Sequence, residues 1–425
     1  MLLPVDAYIK VAAGVPQLDK ISIPNLAALV ACIVYAGKVR ILKGFGPTEL
    51  FLLFFVFSPF ITSQLNSDVI IFGSTTLPAV GNYDALSAVV AQFLFVIPFF
   101  LGRQFLNTPQ GTRETLRVLC LAGLFYSPFI LLEILLSPQL HYWLYGFYPS
   151  SFVQQMREGG FRSMVFMGHG LTLSFFLMTA VLAATALWRA KLSVFKVPSV
   201  VTTGFLYWLL LLNKSLAGFV YASFFAPFVR YTSARLQLTV AVSLVTLVLL
   251  YPVLRTLDLF PKEALLEVAS TVSTERADSL KFRFDNEDQL RDRAWERKWF
   301  GWGRFGRSRV YDADGRDISV TDGRWIITLG QFGLIGFIGE FGLLAIPVIA
   351  AWRATRRFTQ TEDVLFIAAL ALIVSLNVLD LLPNSWLTPW TWLLAGSLLG
   401  RAETFVGNRP RHVVRMDVTN GSRLG

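Results

Sequence analysis

Trp299–Trp325 reads WFGWGRFGRSRVYDADGRDISVTDGRW, and the rest of the chain is read outward from it. It closes one long polar stretch, roughly Thr256–Trp325, that separates long apolar runs on either side. Glycines at 301, 303 and 306 let the backbone bend and approach a ligand closely, because they carry no Cβ. Arg304, Arg307 and Arg309 stand among them, and Asp322 and Trp325 lead into the next apolar run. An arginine-rich loop at a membrane surface, closed by a carboxylate, is the pattern of a site for an anionic headgroup with a base beside it. The alternative is a solvated polar loop.

Composition sets the class. Of 425 residues, 54% are hydrophobic and only 16% charged, too few charges for a soluble chain of this length. A span needs about 20 apolar residues to cross a hydrocarbon core of about 30 Å. Eleven stretches qualify, at roughly 22–37, 48–65, 85–102, 116–136, 166–188, 198–213, 215–232, 236–255, 326–352, 363–381 and 385–401. Residues 1–20 are too polar to span and read as an interfacial segment; a missing first span would make twelve. They lack the basic end and clean apolar core of a signal peptide. Cys32 and Cys120 lie in apolar runs, so no disulfide or zinc framework is expected.

The formal net charge of +10 raises nucleic acid as a partner, but the cations crowd into short loops between spans, where orientation calls for them. Lys38, Lys43, Arg103, Arg113, Arg189, Lys196, Arg235 and Arg353 fall on one side, which is then the cytoplasm. The expected layout is an amino-terminal transmembrane region 1–136, a first outer loop 137–165, central helices 166–255, a long outer loop 256–325, carboxy-terminal helices 326–401 and a basic cytoplasmic tail 402–425. No ATP exists outside the cytoplasm, so chemistry there needs a donor activated beforehand.

Several residues stand out. Lys214, in NKS at a tight junction on the outer side, defies the positive-inside tendency; it holds a phosphate as a point charge or snorkels to headgroups. Arg157 and Arg162 precede MVFMGHG, where His169 opens a span as a base near neutral pH or as a helix cap. The stretch SLKFRFDNEDQLRDRAWERKW reads as an exposed helix carrying Arg283 and Arg291 among acids. Asp322 is either a general base or the N-cap of the apolar helix that follows. Glu133 lies near the outer end of its span. Glu340 falls about 22 Å along its helix from Trp325, toward the cytoplasmic half.

In layout this chain resembles the bacterial O-antigen ligase and O-antigen polymerase family. The resemblance covers most of the chain and is sharpest at Arg162 with MGHG, at the NKS junction, and from GWG through DGRW into LGQFGLIGFIGEFGLL. It implies a glycosyltransferase-C-like, all-α membrane enzyme whose two outer loops form the active face. Such enzymes transfer a glycan from a polyprenyl diphosphate carrier on the outer face of the bacterial inner membrane. The family's diphosphate-binding role carries over to Arg157, Arg162, Lys214, Arg283, Arg291, Arg304 and Arg307. Where the family has a serine–arginine pair at the junction, Asn213, Lys214 and Ser215 stand here. Ligases use a histidine in the long loop as base, but no histidine lies between Thr256 and Trp325. The matching region offers Asp322, with His169 as the rival base, and Glu133 and Trp325 are expected at an acceptor pocket.

The expectation is a metal-independent polymerase with no cofactor. It takes undecaprenyl-diphosphate-linked oligosaccharide as donor and acceptor and works with a chain-length-regulating co-polymerase. The rivals are a ligase with a lipid or protein acceptor and a transporter of lipid-linked oligosaccharide. Transporters often show inverted repeats and interrupted helices, and no repeat is apparent in the sequence.

Overall fold

A computed structural model describes residues 8–9, 18–157, 159–355 and 361–407. Helices occupy every stretch read as a span. They are α1 (Ser22–Ala36), α2 (Pro47–Gln64), α3 (Asn82–Phe105) and α4 (Pro109–Leu136), then the short α5 (Leu140–Tyr145) in the first loop. After it come α6 (Gly170–Arg189), α7 (Ser199–Leu212), α8 (Leu216–Tyr231) and α9 (Ala234–Thr256). The long loop holds α10 (Lys262–Val272) and α11 (Thr274–Glu296), and α12 (Arg324–Thr355), α13 (Glu362–Asp380) and α14 (Pro389–Gly407) complete the order. Six of them, α3, α4, α6, α9, α12 and α13, are long and apolar enough to cross a membrane, the make-up of a multi-pass membrane protein. Among the described residues the strands form four two-stranded antiparallel pairs, one ahead of α1 and three in the connections between helices.

Local chemistry sets where the helices begin. α4 starts seven residues before the expected apolar run, because Thr108 accepts the Gly111 N–H as an N-cap and Pro109 sits at the first helical position. Ser233 and Thr361 cap α9 and α13 in the same way. α6 is buried over almost its whole length and is wrapped by α4, α7, α8 and α13. α3 and α14 run in the same direction in close contact, with Gly396 against the backbone of Phe99 and Gly400 against that of Arg103. Counted back along that pairing, α14 begins level with Gln92, well inside the bundle. At the end away from the long loops, Arg103 pairs with Glu49 at 2.9 Å and Glu403 at 2.5 Å, tying α2, α3 and α14 together.

The largest departure from expectation is in α12. Gly333 has φ 66° and breaks the helix in two. Across the break, Arg324 grips Glu340 with Nε at 2.6 Å and Nη2 at 2.9 Å. In an unbroken helix sixteen residues would hold them about 24 Å apart. Glu340 therefore does not lie a helix length below Trp325; the half-helix Arg324–Phe332 folds back beside it. The long loop closes the break: Leu334 and Ile335 donate to the Lys298 and Trp299 carbonyls, and Trp302 and Gly303 donate to those of Gly330 and Gln331. A Cβ on Gly301 or on Gly333 would strike the other segment's backbone, so glycine is required at both. The break sits level with Thr62, whose hydroxyl donates to the Phe300 carbonyl near the loop end of α2.

Candidate functional site: a cation-lined cavity

A cavity of about 920 Å³ opens beside Arg304 of the long loop, walled by α1, α3, the start of α6, the half-helix Arg324–Phe332 and the turn before α14. Three cations line it: Lys20, Arg304 and Arg324. Lys20 Nζ donates to the Phe166 carbonyl, which joins the start of α1 to the first loop. Arg324 spends Nε and Nη2 on Glu340; among the described residues Nη1 has no hydrogen-bond partner. Its guanidinium stands 5.9 Å from the Phe95 ring, which places it deep along α3. The Arg304 side chain has no hydrogen bond or ion pair among the described residues; the Phe305 ring lies beside it, at 5.5 Å. Burial lowers the Arg304 pKa and Asp84 partly opposes that, yet an arginine keeps its charge. The remaining wall is apolar, with Ala28, Pro98, Leu101 and Leu393 running along α1, α3 and α14.

Arg304 is the predicted diphosphate ligand that lines this cavity. Arg307, three residues on, is fully buried and committed to the fold. Its Nε donates to the Trp302 carbonyl (3.1 Å), Nη1 to the carbonyls of Asp68 (2.7 Å) and Pro78 (2.9 Å), and Nη2 to the Asp68 carboxylate (2.9 Å). Arg291 pairs with Asp288 and Asp292 and donates to the Arg255 carbonyl. Arg283 donates to the Pro383 carbonyl and lies 3.6 Å from Asp322. Arg162 is buried in the first loop with its chain over Gly170, and Lys214, at φ 50°, lays its ammonium over Gly160; neither lines the cavity. The Arg157 side chain lies outside the described residues.

The two candidate bases are placed differently. Asp322 is 41% exposed with Arg283 as its ion-pair partner. It makes no cap, since α12 begins at Arg324 with Gly323 immediately before it. His169 does cap α6: its Nδ1 accepts the Leu171 N–H at 3.1 Å, which leaves the proton of the neutral ring on Nε2, 3.4 Å from Gln154 Oε1. The His169 ring also stacks on Trp386, which lines the cavity.

Glu133 and Trp325, expected at an acceptor pocket, are fully buried away from the cavity lining. Glu133 Oε2 accepts from Ser163 Oγ and from the Met164 and Val165 N–H groups, and Oε1 accepts from Leu140 N–H. It holds the first loop in shape. Trp325 Nε1 donates to Glu287 at 3.2 Å, and its ring packs edge-on to Tyr251. Burial raises the Glu287 pKa, while Arg255, Trp325 and Tyr251 counter it.

Sequence reading missed Lys20 and Arg324 as cavity residues. Arg324 had a signal, since Glu340 inside a span needs a nearby cation. Lys20 closed a segment too short and polar to rank. No protein-family model, curated protein or solved structure matches this chain.

Proposed function

We propose that this protein is a membrane glycosyltransferase. It transfers a polyprenyl-diphosphate-linked glycan to the terminal hydroxyl of another lipid-linked repeat unit, at the periplasmic face of a bacterial inner membrane. The observation that carries this reading is the cavity itself, with Arg304, Arg324 and Lys20 above an apolar wall on α1, α3 and α14. Cations stabilise the charge that grows on a departing diphosphate, and the apolar wall suits an isoprenoid chain. The acceptor hydroxyl needs only positioning and a base. We assign that base to Asp322, which precedes the cavity residue Arg324 by two positions, with His169 at the rim as the alternative. His169 would first have to give up the Leu171 N–H bond.

The test supplies purified protein with lipid-linked repeat units and looks for a ladder of lengthened products. Wild type should make the ladder, and Arg304→Ala should abolish it while the protein stays folded in the membrane. A wild-type preparation that makes no ladder, or an Arg304→Ala variant that matches it, sinks the reading. One feature favours a transporter instead: α12 is interrupted. Its break sits under the long loop at the end of α2 rather than at mid-bundle, where transporter sites lie. Movement of fluorescent lipid-linked oligosaccharide across proteoliposomes, without lengthening, would decide for transport.

A further inference from the structure

Charge and an apolar wall leave part of the cavity unexplained. Four of the Gln, Ser and Thr side chains that line it, Gln92, Thr172, Gln331 and Ser385, have no hydrogen-bond partner among the described residues. Gln92 is the sharpest case: its residue is only 9% exposed, on the cavity face of α3 between Ala88 and Phe95. Its amide faces the cavity and offers both donors and an acceptor to whatever occupies it. The positions of the two amides are set by the cations. Arg324 packs near Phe95, one turn below Gln92 on the same face of α3. Gln331 shares the half-helix with Arg324, seven residues or about 10 Å along it, and its carbonyl accepts the Gly303 N–H next to Arg304. The amides therefore stand between the two arginines. Trp386 completes the group; His169 covers one face at 5.5 Å and an interplanar angle of 20°, and the rest of the ring borders the cavity.

A diphosphate is matched by cations, and an isoprenoid chain has nothing to offer an amide. Neutral donors and acceptors beside a flat aromatic ring fit a hydroxyl-bearing sugar ring. We propose that the cavity contains a monosaccharide subsite, formed by Gln92, Gln331, Ser385 and Trp386, that holds the first sugar of the lipid-linked donor. The subsite rests on the carrier reading above and adds selection to it: a site built to hydrogen-bond hydroxyls rejects a ligand that lacks them. Gln92 and Trp386 are then specificity-determining residues, while Arg304 serves any diphosphate.

The experiment measures binding to full-length protein in nanodiscs by native mass spectrometry. The two probes are a polyprenyl diphosphate carrying one hexose and the bare polyprenyl diphosphate of equal chain length. Gln92→Met and Trp386→Leu should each weaken the hexosyl lipid about three- to tenfold, as the loss of one or two hydrogen bonds or a ring contact predicts. Both variants should bind the bare lipid within twofold of wild type, whereas Arg304→Ala should weaken both lipids. Equal losses on the two lipids, or no loss on the hexosyl lipid with unchanged melting temperatures, overturn the subsite and leave the carrier reading intact. If wild type binds neither lipid, the carrier reading fails and the subsite falls with it.

Discussion

Each of the two long loops gathers around a fully buried charged side chain, and the two charges are opposite. In the first loop the carboxylate of Glu133 gathers the N–H groups of Leu140, Met164 and Val165 and the Ser163 hydroxyl. In the second the guanidinium of Arg307 distributes its donors over the Trp302, Asp68 and Pro78 carbonyls and keeps the Asp68 carboxylate as counter-ion. A buried carboxylate can be satisfied by backbone donors alone when a tight loop points several at it. A buried guanidinium needs acceptors spread around its plane, so it draws on two segments distant in sequence. The first anchor therefore shapes one loop locally. The second ties the long loop to the connection between α2 and α3.

The comparison can be broken most strongly at Arg307. Arg307→Met should cost about 3–5 kcal/mol, because buried carbonyls lose their donors and the ion pair is broken. The expected readout is a lower melting temperature and rapid proteolysis between positions 309 and 323. Glu133→Gln should cost less, about 2 kcal/mol, since one carbonyl oxygen still accepts while the new amide opposes N–H donors. Its damage should stay in the first loop, so cleavage near position 150 should rise while the second loop keeps its protection. Equal exposure of both loops in either variant would end the idea of independent anchors.

Acid sharpens the contrast further. Burial alone would raise the Asp68 pKa, but its own backbone N–H, Arg297 and Arg307 outweigh that and hold it below the ordinary 3.8. Its contribution is therefore present above that ordinary value and is lost as pH falls through the lower folded value. Pepsin cleavage of the second loop should climb in that window, and Asp68→Asn should flatten the climb. The smallest effect is expected at Arg304. Without a hydrogen bond or ion pair among the described residues, its change to Ala should move stability by no more than about 0.5 kcal/mol. A melting shift as large as that of Arg307→Met would show that Arg304 also belongs to the scaffold.

Arg304 and Arg307 also show how far the candidate site was legible. Both read alike in GRFGR, as glycine-flanked cations. The sequence alone cannot say that one meets Asp68, more than two hundred residues away, while the other faces a cavity. Glu340 shows the same limit: its expected depth assumed continuous helix through LGQFGLIGFIGEFG. The glycines permitted a break, but only the Lys298–Gly303 backbone, docked against them, supplies the hydrogen bonds that make a break stable.

What the sequence by itself determined is the helical membrane class, the positions of the long apolar helices and of α11, and the existence of a glycine–arginine loop leading into α12. Those follow from local quantities: apolar run length, N-cap residues, and the placement of glycine and charge. Tertiary structure alone decided which cations are structural and which face the cavity. It also brought Lys20 and Arg324 to one wall and turned Glu340 back toward the start of its own helix. The reason is that charge pairing and backbone satisfaction are settled between segments far apart in the chain, and a run of residues carries no record of the partner it will meet.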